Sequence, residues 1–322
     1  VKVMNLGNQT SKTDFFLLGL FNTSELHYFL FSLAFISFLL TLLSNGLMVF
    51  LIYVEVQLHT PMYFFLGQLS FMDMLLACTT VPKMATNFLS GRKSISFVGC
   101  GFQIFFFLTL GGGECFLLAF MAYDRYVAIT KPLRYPTIMT NCVCWLMAAT
   151  SWLLGVLDGL IQGLVTLTFP FCGLRVIDHF FCEVPAVLAL ACADTTTFET
   201  VMYVCCVGML LIPFLIILAS YAQILVAVLQ MTSTKGKKKA FSTCSSHLAV
   251  VILFYGTVIS IYMVPHSHRS PGVDKTVAAF YTFFIPTLNP FIYSLRNKDV
   301  MGALGKLLGK IRLCRNETVQ VV

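Results

Sequence analysis

Met121-Ala122-Tyr123-Asp124-Arg125-Tyr126-Val127-Ala128-Ile129 closes an apolar run that begins near residue 97. An acid and a base stand side by side at the end of a stretch well beyond the ~20 helical residues that cross a hydrocarbon core of ~30 Å. Working outward, six further runs of that order lie near 27–54, 58–82, 142–165, 198–230, 241–264 and 274–295. Of the 322 residues, 58% are apolar and 11% charged, and the mean hydropathy is +0.85. A soluble domain is about 45–50% apolar and ~25% charged, so a soluble enzyme, a disordered regulator and a coiled coil are excluded together. Inside lipid every backbone group pairs within its own segment, and these runs are unbroken rather than alternating, which selects helices over a β-barrel. The sequence predicts an all-α membrane protein. Its parts are an N-terminal tail (1–26), a seven-transmembrane helix bundle (27–295) and a C-terminal tail (296–322) with a short amphipathic helix carrying Leu304, Leu307, Leu308 and Ile311.

The charges orient the bundle. With the N-terminus outside, 13 of the 21 Lys and Arg fall on the cytoplasmic side, among them Lys235, Lys237, Lys238, Lys239, Lys298, Lys306 and Arg312. That asymmetry follows the positive-inside rule and explains the formal charge of +7 without nucleic acid. No basic start with a short apolar stretch precedes the first span, so that span is expected to act as its own insertion signal. Sequons at Asn8 and Asn22 fall in the external tail. Asn8 is the better glycosylation acceptor because Asn22 lies close to the membrane; the Asn316 match is on the wrong side.

Short patterns recur at defined depths. Ser44-Asn45-Gly46 lies in the first span, and His59-Thr60-Pro61-Met62-Tyr63-Phe64-Phe65-Leu66 opens the second, followed by Asp73. Ser220-Tyr221 lies low in the fifth, and Lys239-Ala240-Phe241-Ser242-Thr243-Cys244-Ser245-Ser246-His247-Leu248 opens the sixth. Pro286-Thr287-Leu288-Asn289-Pro290-Phe291-Ile292-Tyr293 ends the seventh. Together with the Met121–Ile129 pattern, the chain resembles a rhodopsin-like (class A) G-protein-coupled receptor and, within that class, an olfactory (odorant) receptor, from about residue 20 to 315. Asp-Arg-Tyr and Asn-Pro-x-x-Tyr mark the wider class; the long third-span and sixth-span patterns are the olfactory marks. Thr130-Lys131-Pro132 departs from the family, which usually has Cys before the basic-Pro pair.

The resemblance implies a receptor in the plasma membrane, a small-molecule odorant as ligand, and a stimulatory olfactory-type G protein that raises cyclic AMP. It implies coupling and activation roles for Asp124, Arg125, Tyr126, Tyr221, His247, Asn289, Pro290 and Tyr293. On physical grounds alone, Arg125 is either a functional boundary charge with Asp124 as partner or a snorkelling interface cation. Pro290 removes a backbone donor and Asn289 can satisfy groups freed by the kink, which allows a hinge.

Four of the twelve cysteines are external: Cys100, Cys172, Cys182 and Cys192. An oxidising side favours disulfides, and four cysteines allow three pairings that spacing does not separate. The resemblance implies Cys100–Cys182 and Cys172–Cys192. Cysteines within spans read as small buried hydrophobes. Cys314, after the amphipathic stretch, is equally a palmitoylation site or a plain thiol.

On the third span, Ile104, Phe107, Leu108, Gly111, Gly112 and Cys115 share one helical face. Helix packing explains such a face, while the glycines also leave volume where the family places its ligand. Facing residues by resemblance are Cys205, Cys206 and Met209 on the fifth span, Tyr255, Val258, Ile259 and Tyr262 on the sixth, and Ala279 and Thr282 on the seventh. An apolar, aromatic lining suits a small hydrophobic ligand. Position 107, where aminergic relatives place their amine-binding Asp, carries no acid, and the resemblance therefore disfavours an amine. Asp158 and Gln162 stand one turn apart, a spacing that suits interhelical hydrogen bonding before ligand contact.

Asp73 lies ~22 Å along its helix from Leu58, and Glu114 ~24 Å from Thr130, so both acids reach similar depth. Either one is protonated or a cation sits between them. Oxygen-rich surroundings (Asn45, Ser70, Asn289) suit a hard cation, and related receptors hold sodium at the corresponding Asp. The expectation is no enzymatic cofactor, with a sodium ion at Asp73 and Glu114 opposing activation. A transporter would show inverted repeats and discontinuous spans. An enzyme would need a nucleophile–base or metal constellation. The sequence shows none of these.

Overall fold

The computed structural model describes residues 14–20, 25–262, 271–294 and 297–320, with backbone alone at 25–27, 239, 243, 261–262, 271–274 and 310–320. Asn8, Asn22 and His266-Ser267-His268 lie outside the described residues, as do the side chains of Tyr262 and Cys314.

Among the described residues six helices are long and apolar enough to cross a membrane: α1 (Glu25–Val54), α2 (Pro61–Ser90), α3 (Phe97–Thr130), α4 (Asn141–Thr168), α5 (Thr196–Gln230) and α6 (Thr234–Tyr262). The seventh, α7, runs as Pro271–Ala279 and Ile285–Ser294 joined by a π-helical turn at Phe280–Phe284. The ends follow from local chemistry. Pro61 fits the first position of α2, where no donor is needed, and Gly91 stops that helix at φ 67°, a left-handed conformation cheap only for glycine. Ser96 and Thr140 cap α3 and α4 by accepting from the backbone N–H of Gly99 and Val143 at 3.1 and 3.3 Å. α2 continues past Pro82, where the sequence reading ended it: one lost hydrogen bond does not break a helix packed on both sides.

α3 is the central post. α4 approaches it through glycines: a Cβ on Gly155 would stand 2.2 Å from the Thr109 carbonyl oxygen, and one on Gly159 would stand 2.6 Å from that of Phe105. Backbone approach of this kind replaces the missing hydrophobic drive for association inside lipid.

The end of the bundle near the chain's start, called upper here, is roofed by the loop between α4 and α5. Cys182 of that loop bonds Cys100 at the head of α3, and Cys172 bonds Cys192 within the loop. The N-terminal tail contributes a strand. β1 (Phe15–Leu17) lies between β2 (Ser94–Ile95, antiparallel, Phe15 opposite Ile95) and β3 (Val176–Ile177, parallel, Leu17 opposite Ile177). Phe15 and Leu17 alternate inward and are buried with Ile104, Leu108 and Val187 in a core of their own. At the lower end α8 (Lys298–Gln320) starts beside Asn297, whose side-chain oxygen accepts from the Asp299 N–H at 3.0 Å. Val300 and Ala303 anchor α8 in the main core, and Lys306 reaches Glu55 at 3.6 Å.

Candidate functional site

The upper half of the bundle holds a small cavity of about 50 Å³. Phe107, Leu108, Gly111, Gly112 and Cys115 of α3 form one wall, Cys206, Met209 and Leu210 of α5 the second, and Val258, Tyr281 and Asp158 complete it. The room is that of one or two waters, far below the ~300 Å³ or more of an open ligand site. Anything larger would need side chains to repack, and the flexible Met209, whose Cε stands 3.0 Å from where a Gly112 Cβ would be, is one that yields. The loop closes over this region with Phe181 against Phe107 (ring centroids 4.8 Å) and Phe180 against Phe283.

His179 of that roof is buried, its Nδ1 accepting from the Phe181 N–H at 3.4 Å. Burial, and then the nearby Lys275 charge, push its pKa down to about 4, against partial offsets from the Phe181 contact and Asp178. The Glu183 carboxylate lies 3.4 Å from Nε2 without hydrogen-bond alignment, so it does not reverse the shift. The folded state keeps the ring neutral while the unfolded chain takes up a proton below about pH 6.5, so this residue withdraws stability as pH falls toward 4. At pH 5 the loss is about 2 kcal/mol. Melting of purified protein should drop between pH 7 and 5, and less so in His179→Asn; identical pH slopes for the two would contradict this.

Lower in the bundle, a polar cluster crosses its axis. Asn289 donates to both Asp73 carboxylate oxygens at 3.0 and 3.3 Å, and the Tyr281 hydroxyl donates to Glu114 Oε2 at 3.3 Å. Glu114 Oε1 and the side-chain oxygens of Asn45 and Asn289 are buried without a hydrogen-bond donor, as is the Tyr293 hydroxyl. Such a set of buried acceptors calls for a proton, a water or a hard cation. Among the described residues only two acids meet here; no group of three or more His, Cys, Asp or Glu forms a metal cluster.

The lower end opens as a cleft of about 680 Å³ lined by Arg125, His247, Tyr293, Lys235, Lys238 and Asp299, among others. Arg125 pairs with Asp124 through Nη2 and through Nε at 3.1 Å, and Tyr135 donates to the other Asp124 oxygen at 2.6 Å. Burial, and then the Asp124 charge, push the Tyr135 hydroxyl above its ordinary range, so it remains a donor. Tyr221 donates to His247 Nδ1 at 2.7 Å, and the opposite ring nitrogen donates to the Leu118 carbonyl at 3.1 Å. That relay straps α5 and α6 to α3 and holds the cleft's inner wall together.

The family model described as Olfactory receptor matches residues 33–310. The chain is 59% identical to olfactory receptor 2T12 of Homo sapiens over 306 residues, 95% of each chain. It is 58% identical to olfactory receptor 2T8 of Homo sapiens (95% of this chain, 98% of that protein) and 56% identical to olfactory receptor 2V1 of Mus musculus (95% and 97%). The chain belongs to the olfactory receptor family. It is a multi-pass protein of the plasma membrane, a class A G-protein-coupled receptor and not an enzyme.

The receptor's upper cavity brings together Phe107, Leu108, Gly111, Gly112, Cys206, Met209 and Val258 of the expected ligand set. Others lie elsewhere. Cys205 and Ile259 are exposed on the outer surface, because neighbours on a helix point about 100° apart and Cys206 and Val258 already face inward. Ile104 is buried one turn higher in the loop core. Tyr255 is buried and donates to the Cys115 carbonyl at 3.3 Å, Thr282 bonds its own helix at Ala278, and Ala279 is half-buried. The π turn accounts for the seventh helix: its extra residue re-phases the face and brings Tyr281 inward instead. Periodicity carries no signal for such a turn. Asp158 also lines the cavity, and its bond to Gln162 runs within α4, where their spacing had favoured interhelical bonding over ligand contact.

In the lower cleft the receptor gathers Arg125, His247 and Tyr293, with Asp124 and Tyr221 bonded to them or beside them. Tyr126 sits under the Lys131 ammonium, 5.5 Å from its ring centroid. Asn289 and Pro290 are buried in α7 between this cleft and Asp73.

Proposed function

We propose that this receptor binds a small, mainly hydrophobic odorant in the upper cavity and responds by opening the lower cleft to a stimulatory, olfactory-type G protein, raising cyclic AMP. The N-terminus and the disulfide-bonded loop face outside, and the cleft and α8 face the cytoplasm. The observation that carries this reading is the pairing of a small apolar cavity above with a basic cleft below on the same central helix, α3. An agonist must bind one arrangement of the bundle more tightly than the other, and the collapsed cavity supplies that difference: only a widened form accommodates the ligand. The roof of Phe180 and Phe181 and the Cys100–Cys182 bond support ligand capture from outside. Cyclic AMP in transfected cells challenged with a diverse odorant panel tests the reading. A concentration-dependent rise is the expected result; substrate flux in vesicles with no cyclic AMP response would favour a transporter.

The polar cluster fits sodium. Its buried acceptors are oxygen atoms, and two carboxyls supply the charge. Asp73 and Glu114 would hold the ion, keeping α2, α3 and α7 in the resting arrangement. Raising sodium should lower basal and agonist-driven signalling in wild type but leave Asp73→Asn and Glu114→Gln unmoved. A wild-type response indifferent to sodium would leave a protonated pair as the account. Asn8 is the proposed glycan acceptor.

A further inference from the structure

One wall of the odorant cavity is a carboxyl group. Asp158 on α4 lines the space together with Phe107, Leu108, Met209 and Val258, side chains that offer it no hydrogen bond. Its Oδ1 accepts from the Gln162 amide, and Gln162, itself buried, lies 3.9 Å from the Cys206 sulfur. The Gln162 bond fixes the carboxyl's orientation. Oδ2 is the other oxygen, and it stands 3.8 Å from the place a Cβ on Gly112 would occupy. That place is taken up by the Met209 methyl, 3.0 Å away, so a ligand atom reaches Oδ2 from the α3 side when this flexible side chain moves aside.

We infer that Asp158 is the polar anchor of the odorant cavity and that the preferred ligand is an apolar molecule ending in a hydroxyl, which donates to Asp158 Oδ2. The inference rests on the ligand-binding reading above and deepens it. A carboxylate accepts and does not donate, so it rewards a donor group and rejects ethers and esters, which bring only further acceptors. The rejection is strong inside an apolar cavity, because an unmatched ligand displaces water from the carboxyl without replacing its hydrogen bond. The aromatic and thioether walls take the hydrocarbon part, and Gly112 sets where along the chain the hydroxyl must sit.

The test uses purified full-length receptor and a set of aliphatic and aromatic alcohols, each beside the methyl ether with the same number of heavy atoms. Ligand-induced thermal stabilisation reads affinity without any G protein. Wild type should bind its best alcohols about tenfold or more tightly than their ethers. Asp158→Leu should remove that gap while still binding the apolar bodies, and Asp158→Asn should narrow it by admitting ethers and ketones as acceptors. Gly112→Ala is the second arm: its methyl competes with the Met209 terminus for the space beside Oδ2, so the alcohol preference shrinks in a folded protein. Ethers equal to alcohols in wild type, a gap that survives in Asp158→Leu, or no stabilisation by any alcohol would overturn the inference. Cyclic AMP is measured on the same pairs. Alcohol-selective stabilisation without cyclic AMP would sustain the anchor and count against the signalling reading instead.

Discussion

Arg125→Ala is expected to reduce agonist-driven cyclic AMP to baseline while the receptor still reaches the cell surface and binds ligand. Arg125 is the cation at the base of the lower cleft, tied to Asp124, which is tied in turn to Tyr135 of the one-turn helix Tyr135–Ile138. On the proposed reading the pair keeps a charge in partly apolar surroundings satisfied at rest, and the guanidinium becomes available to the G protein on opening. Removing it leaves Asp124 short of its main counter-charge, which alone can destabilise a buried pair by about 3–5 kcal/mol. The double variant Asp124→Asn/Arg125→Ala removes that complication and should also be silent. Full signalling by either variant at normal surface level would sink the assignment.

The other large effect concerns the fold. Gly155→Val should cut surface receptor by roughly tenfold or more, because a Cβ there meets the Thr109 carbonyl oxygen at 2.2 Å and the Gly113 nitrogen at 2.9 Å, both rigid backbone of α3. Gly208→Val on α5 is the matched control: nothing lies within 4 Å of its added Cβ, and surface level should stay within about twofold. Equal surface levels for the two variants would show that the α3–α4 approach is not what these glycines provide.

Much of this was legible before any coordinates. Membrane spans announce themselves because lipid demands ~20 apolar residues each, and the Asp-Arg and Asn-Pro patterns placed Arg125, Asn289 and Pro290 at their depths. Side-chain direction was harder. Cys205 and Cys206 are equally apolar, so composition does not say which faces the cavity, and only the helix's rotation does. The π turn at Phe280–Phe284 shifts the α7 face with no mark in the residues themselves, which is why Tyr281 went unread. β1 was hidden for a different reason: three residues are too short for a period-2 signal, and Phe15 is buried only because the loop strands cover it. The role of Asp158 required knowing that Gly112 faces it across the α3–α4 crossing.

On the proposed reading the upper cavity and the lower cleft are two ends of one equilibrium. Coupling of that kind is reciprocal, so a G protein that favours the open cleft must tighten ligand binding above. The measurement is odorant affinity of the purified receptor with and without nucleotide-free stimulatory G protein. The account predicts a tightening of about 5–150-fold in wild type and none in Arg125→Ala. An affinity unchanged by bound G protein in wild type would contradict it.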